Sequence, residues 1–170
     1  MTIGDKAFDN CKKLEHSNLE ENDALVFVGT NAFNQCGLLE LSKLPETLQV
    51  IGGSAFAFCK KLTISDLPRD IRRLGPWCFA STKNTISTFG APGATNVIEM
   101  EDNFVNAGVV NKNNGVTVVT INCPKEGIKP NAFASFGPDD GFESAVINNG
   151  ATKTEVDVWG LKAKTYDGVI

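Results

Sequence analysis

The sequence predicts a β-rich (α/β) solenoid, in which short parallel strands joined by short helical or 3-10 turns stack unit upon unit. Three observations predict it. Nearly the same twelve residues are written twice, "IGDKAFDNCKKL" from Ile3 to Leu14 and "IGGSAFAFCKKL" from Ile51 to Leu62. Phe8, Phe33, Phe56 and Phe79 follow one another at nearly equal intervals, in the contexts "IGDKAF", "VGTNAF", "IGGSAF" and "LGPWCF". After each Phe comes a short segment of alternating apolar residues, clearest in "LELSKLP" and "LTISDLP", which is the period of a half-buried strand. A unit this short cannot bury its apolar side alone, so neighbouring units stack and place equivalent residues in ladders.

Within a unit, each recurring residue has a packing reason. The Phe is expected to fill the space between two extended pieces, and the Ala before it to leave room for the next coil. The Gly of "IG" or "VG" is expected to supply a turn conformation that other residues resist. Cys11, Cys36 and Cys59 stand three residues after the Phe, and Leu14, Leu39 and Leu62 six residues after it, where they open the strand. Leu39, Leu41 and Leu44 then point inward, as do Leu62, Ile64 and Leu67, with Glu40, Ser42, Thr63 and Ser65 between them. Pro45 and Pro68 stop the strands, because proline donates nothing to a ladder. A second extended piece ("ALVFVG", "LQVIG", "DIRRLG") leads to the next Gly, and a brief helical or 3-10 turn carries the Phe and Cys.

Beyond Phe79 the pattern loosens. Phe104 in "VIEMEDNF" and Phe133 in "IKPNAF" continue it, the second after a longer interval than any before it, and give six units in all. The excess length coincides with "VNKNNGV", where Asn114-Gly115 between apolar runs signals a protruding hairpin turn. "VTVVTINCP" supplies the strand of that unit, and "SAVIN" is read as the last strand of the array. "FGAPGA" and "FGPDDG" read as loops. The repeat domain is thus residues 1–150, irregular over 84–123. Residues 151–170 read as one or two strands that either cap an open sheet edge or begin a following module.

"IGxxAFxxCxxLxxLxxLP" resembles the BspA-like leucine-rich repeat family, an atypical class of leucine-rich repeat found in bacterial cell-surface proteins and in surface proteins of some protozoa. The resemblance is specific over Ile3 to Phe79 and at "GIKPNAFASF", weaker from Asn84 to Cys123, and absent after about Gly150. In the fourth unit Cys78 replaces the Ala and Thr82 the Cys; in the sixth, Phe136 takes the Cys position. The resemblance implies a right-handed solenoid with no catalytic activity and no cofactor. It also implies an extracellular or cell-surface location and adhesion to proteins or other surface ligands. Further repeats or domains of the same parent chain are expected to flank it.

Composition narrows the partners. A net charge of −4, with no basic run, gives no electrostatic footprint for nucleic acid. No segment reaches the roughly 18 apolar residues of a membrane span, so no membrane insertion is expected. The N-terminus has no apolar signal core and opens inside a repeating unit, so the compartment is not legible from its first residues.

Candidate chemistry is thin. The five cysteines match no zinc spacing, although stacking would bring Cys11, Cys36 and Cys59 together. Buried reduced thiols packing as small apolar residues are the expected state, with a disulfide or a metal as the alternatives. His16 is the single histidine. It takes the inward position of Leu41 and Ile64 near the open end of the stack, with no orienting partner for catalysis. "LEENDA" and "EMED" lack the spacing of a calcium loop, and "GAPG" lacks the phosphate-loop pattern. No metal site is expected.

Two features fit recognition. Glu15, Ser17, Glu40, Ser42, Thr63 and Ser65 should form an outward polar strip on the sheet, either a ligand surface or an ordinary solvated face. Trp77 occupies the variable position of Lys6, Asn31, Ser54 and Asn131, where it is either a solvent-facing contact anchor or stacked on Pro76. The expected function is non-enzymatic recognition of a protein or glycan through the sheet face or loops. The alternative is a structural spacer without a ligand of its own.

Overall fold

The computed structural model describes residues 1–86, 88–90, 98–100, 118–122, 144–147 and 165–166. Nine short strands are present among them: β1 (Thr2–Ile3), β2 (Phe27–Val28), β3 (Val50–Ile51), β4 (Arg73–Leu74), β5 (Thr88–Phe89), β6 (Glu99–Met100), β7 (Val118–Ile121), β8 (Ser144–Ile147) and β9 (Thr165–Tyr166). They form two sheets in which every pairing is parallel. One has the order β1-β2-β3-β4-β6 and the other β5-β7-β8-β9.

The register of the first sheet repeats the spacing of the phenylalanines. Ile3 faces Val28, Val28 faces Ile51 and Ile51 faces Leu74, the same steps along the chain as from Phe8 to Phe33, Phe56 and Phe79. The rings stack with those offsets: Phe8 on Phe33 at 5.0 Å, Phe33 on Phe56 at 5.3 Å and Phe56 on Phe79 at 5.7 Å, all within 10° of parallel. Each coil is therefore displaced onto the next as one unit, by about the 4.8 Å that separates hydrogen-bonded strands. Phe33, Phe56 and Phe79 are fully buried with Leu25, Leu48, Leu39, Leu62 and Ile64, whereas Phe8, on the first coil, is 40% exposed.

Two expectations about the unit are corrected. The first extended piece, "LELSKLP" and "LTISDLP", is not regular strand. It contributes isolated inter-coil bonds, Glu40 N–H to Glu15 O at 2.8 Å and Thr63 N–H to Leu41 O at 3.0 Å. The regular strand of the first four units is the second piece, immediately before the glycine. In "LELSKLP" the N–H groups of Ser42 and Lys43 donate to the Glu20 carboxylate, at 2.6 and 3.2 Å, and are diverted from the ladder. The first piece becomes strand only further along, in β5, β7 and β8. The strands accordingly fall into two sheets, of five and four strands.

The segment carrying Phe and Cys is a non-helical turn, and the 3-10 helix among the described residues is Leu19–Glu21. Alternate amides divide its bonding. Lys6, Phe8 and Asn10 donate to Thr30, Ala32 and Asn34 of the next coil, while Ala7, Asp9 and Cys11 donate three residues back within their own coil. The same alternation holds where Ser54, Phe56 and Phe58 donate to Pro76, Cys78 and Ala80. Each turn requires a pair of residues at positive φ: Lys6 and Asn10, Asn31 and Gln35, Ser54 and Phe58, Trp77 and Ser81.

The glycine has a different role from the one expected. Glycine at positive φ occurs among the described residues at Gly90, which lies outside the repeated "IG" position. Gly29, Gly52 and Gly75 instead lie against the backbone of the preceding coil. A Cβ on Gly52 would sit 2.5 Å from Thr30 N and 2.6 Å from Gly29 C. Close approach, not turn conformation, excludes a side chain there.

Past the fourth unit, Thr88 faces Thr120, a longer step along the chain than any in the first sheet, which accommodates the extra length around "VNKNNGV". The hairpin turn expected at Asn114-Gly115, and the units expected at Phe104 and Phe133, lie outside the described residues. β9 lies within the segment read as one or two strands after the array, and it pairs parallel to β8, Val146 with Thr165 and Ile147 with Tyr166.

Candidate functional site

The outward strip is built by alternation in the first extended piece. Leu39, Leu41, Leu62 and Ile64 are buried, which leaves Glu40, Ser42, Thr63 and Ser65 exposed beside them. Glu40, Ser42 and Thr63 meet Glu20, Leu41, Lys61 and Lys83 in an open groove of about 390 Å³. Stacking brings together here residues that lie a whole coil apart in sequence.

Glu40 is the centre of charge pairing in the groove. Lys61 Nζ donates to Glu40 Oε1 at 2.8 Å, and His16 Nδ1 lies 3.9 Å from Glu40 Oε2. The hydrogen bond and charge of Lys61 hold the Glu40 carboxyl below its usual range, and Glu40 raises Lys61 in return. Glu20 also lies below its usual range, chiefly because the Ser42 N–H donates to it; the Ser42 hydroxyl at 2.9 Å and the Lys43 N–H add to this. Its carboxylate thereby ties the first coil to the second.

A depressed carboxyl contributes stability that is present above its unfolded pKa and is lost as pH falls through the folded one. Urea midpoints measured from neutral pH down to strongly acid pH are therefore expected to fall less steeply in Glu20→Gln than in the wild type. The two curves should converge at the acid end, because protonation removes from the wild type what the variant already lacks.

The other expected site residues lie apart from this groove. Glu15 is exposed on the first coil. Ser17 does not face outward as expected: it is half-buried, and its Oγ is enclosed without a hydrogen-bond partner. The 3-10 helix Leu19–Glu21 begins two residues after it. The Ser65 hydroxyl donates to Asp66 Oδ2 at 2.7 Å. His16, expected inward, is exposed (77%). Trp77 is 44% exposed at φ 62°. The sequence reading missed Glu20, Lys61 and Lys83 in the groove. Their signal was the coil offset, which places Lys83 and Lys61 beside Thr63.

The thiols of Cys36, Cys59 and Cys78 are free and buried, whereas Cys11, expected to be buried with them, is free and exposed on the outermost coil. Cys36 Sγ lies 3.0 Å from Phe8 O and Cys59 Sγ 3.1 Å from Phe33 O, each donating to the preceding coil. Burial pushes the Cys59 thiol up to about 12 and raises Cys36 and Cys78 as well. Since the thiolate is the reactive form, iodoacetamide at mildly alkaline pH is expected to modify Cys11 and to spare Cys36, Cys59 and Cys78 until urea unfolds the chain. Peptide mass mapping reads this directly. Among the described residues no group of three or more His, Cys, Asp or Glu is placed to hold a metal, and no helix is long and apolar enough to cross a membrane.

The stacked Phe rings, the glycines held against backbone and the near-constant register from coil to coil are features of a repeat array, and a family model for the BspA type leucine rich repeat region matches residues 1–107 in six copies. The chain belongs to the BspA-type leucine-rich repeat family. No curated protein and no solved structure matches it. In this BspA-type chain, the letters that define the family are the buried Ala, Phe, Cys and Leu and the tightly packed Gly. The residues that drift between them form the exposed groove and the positive-φ corners. A BspA-type array is a protein-interaction module.

Proposed function

We propose that this chain is a recognition module of a cell-surface or secreted protein. Its coils form a right-handed solenoid that binds a protein or glycan through the sheet-side strip and the turns. The observation that carries the reading is the groove at Glu40, Ser42, Thr63, Lys61 and Lys83. It is exposed, bears both charges, and is assembled from side chains of successive coils on a backbone fixed by inter-coil hydrogen bonds. Rigid placement of variable polar groups is what a repeat protein offers to a ligand. The occurrence of BspA-type repeats in bacterial surface proteins supports the location.

The test is a panel of extracellular-matrix proteins and immobilised glycans. Alanine at Glu15, Glu40, Thr63 and Trp77 together is expected to reduce binding of the wild-type ligand while leaving the thermal midpoint within a few degrees. If the wild-type chain binds nothing on such panels, the recognition reading fails and the array acts as a spacer.

A further inference from the structure

A second groove lies on the other side of the turn between Cys59 and Leu62. It measures about 580 Å³ and is lined by Lys12, Gln35, Gly37, Leu38, Phe58 and Lys60, sharing no residue with the groove at Glu40. Three successive coils contribute to it. Its apolar part is made by two side chains in a solvent-facing place, Phe58 at 48% and Leu38 at 37% exposure.

Phe58 is the unusual member. Its position in the turn is held by Asn10, Gln35 and Ser81 in the other units, all at φ between 56° and 61°, as Phe58 is at 60°. Asn and small polar residues tolerate that left-handed backbone, whereas a bulky ring is an outlier there. Neither folding nor the backbone asks for an aromatic at this corner, yet one is present, half in water, beside an exposed Leu.

The rim carries one sign of charge. Lys12 and Lys60 line the groove, no carboxylate does, and neither lysine makes an ion pair among the described residues. On a chain of net charge −4, an apolar floor between two such cations is a local reversal that selects an acidic partner. From this we infer that the Phe58–Leu38 groove docks an acidic segment of a partner protein. An aromatic or aliphatic side chain of that segment enters between Phe58 and Leu38, and Asp or Glu residues on either side of it meet Lys12 and Lys60. A groove of this size falls within the range of ligand-binding clefts and holds a few side chains. Leu38 favours a peptide over a sugar, which would call for hydrogen-bonding groups on the floor.

The inference rests on the recognition reading and adds a second docking surface to it. The probe is a phage-displayed library of random dodecapeptides selected on the immobilised wild-type chain, with the selected peptides synthesised and measured by fluorescence anisotropy. The expected result is peptides with Phe, Trp or Leu flanked by Asp or Glu. Their affinity should fall about tenfold or more in Phe58→Ser and in the Lys12→Glu/Lys60→Glu pair, a loss typical of removing a central anchor. Affinity should be unchanged in Glu46→Ala, an exposed position that lines neither groove, and weaker at high salt. Phe58→Ser installs the residue found at Ser81, so it should fold as the wild type does, which the thermal midpoint checks. Peptides without the acidic and apolar pattern, or affinity within twofold in Phe58→Ser, overturn the inference. Peptides that instead lose affinity in Glu40→Ala leave the recognition reading standing while this groove falls, whereas an absence of any ligand on peptides, matrix and glycans ends both. A glycan whose binding depends on Phe58 would overturn the acidic peptide as the occupant.

Discussion

Phe56→Ala is expected to lower the unfolding free energy by about 3 to 5 kcal/mol, the range for emptying a buried aromatic site. Phe56 is completely buried, and its ring is covered on both faces, by Phe33 at 5.3 Å and Phe79 at 5.7 Å. Its own amide donates to Cys78 O at 2.8 Å and its carbonyl accepts from Cys59 N–H at 3.2 Å, so the backbone cannot collapse into the space without breaking bonds between coils. The same substitution at Phe8 has a much smaller expected cost, because that ring is 40% exposed and has one stacked neighbour, Phe33. Urea unfolding followed by far-ultraviolet circular dichroism measures both. Equal losses at the two positions would contradict the burial gradient along the stack.

Gly52→Ala is expected to cost about 3 kcal/mol, the upper end of the range for overpacking. The obstacle is backbone: the added Cβ meets Thr30 N at 2.5 Å and Gly29 C at 2.6 Å. A flexible side chain could swing aside, but a peptide unit held in a ladder can move only with its coil. Gly52 N–H itself donates to Val28 O at 2.8 Å, so separating the coils also strains the register of β2 and β3. Gly37→Ala is the matched control. Its Cβ would lie 3.8 Å from Phe58 O, an ordinary contact, and its urea midpoint is expected to stay near that of the wild type.

The repeat, its core and its stacking direction were legible because packing repeats letters. Phe, Ala, Cys and Leu recur at nearly equal steps, and the same steps reappear as the offsets between Ile3, Val28, Ile51 and Leu74. The choice between the two extended pieces was not legible. Both alternate, and in the second unit a side chain from the preceding coil, Glu20, takes the Ser42 and Lys43 amides, a contact that no local pattern announces. The left-handed corners were hidden for a related reason. Asn10 and Asn31 hint at positive φ, but Lys6, Ser54, Phe58 and Trp77 adopt it too, and at Lys6, Ser54 and Phe58 the amide bonds to the next coil, which no local pattern encodes. Gly52 looked like a turn residue because a sequence shows its neighbours in the chain, not Gly29 one coil away. The two grooves follow the same logic: Lys12, Leu38 and Phe58 share a surface only once the coil offset is applied. The exposed Phe58 could have been noticed earlier by the comparison that singled out Trp77, the aligning of variable positions across units.

Coils stack one upon the next so that Phe8, Phe33, Phe56 and Phe79 each touch the counterpart in the adjacent unit. A double-mutant cycle between Phe33 and Phe56, using leucine at each and urea unfolding as the readout, tests it most directly. Stacked rings predict a coupling of about 0.5 to 1.5 kcal/mol between these two, and additivity between Phe8 and Phe56, which are separated by the intervening ring. Additive losses at Phe33 and Phe56, or an equal coupling between Phe8 and Phe56, would contradict the stack.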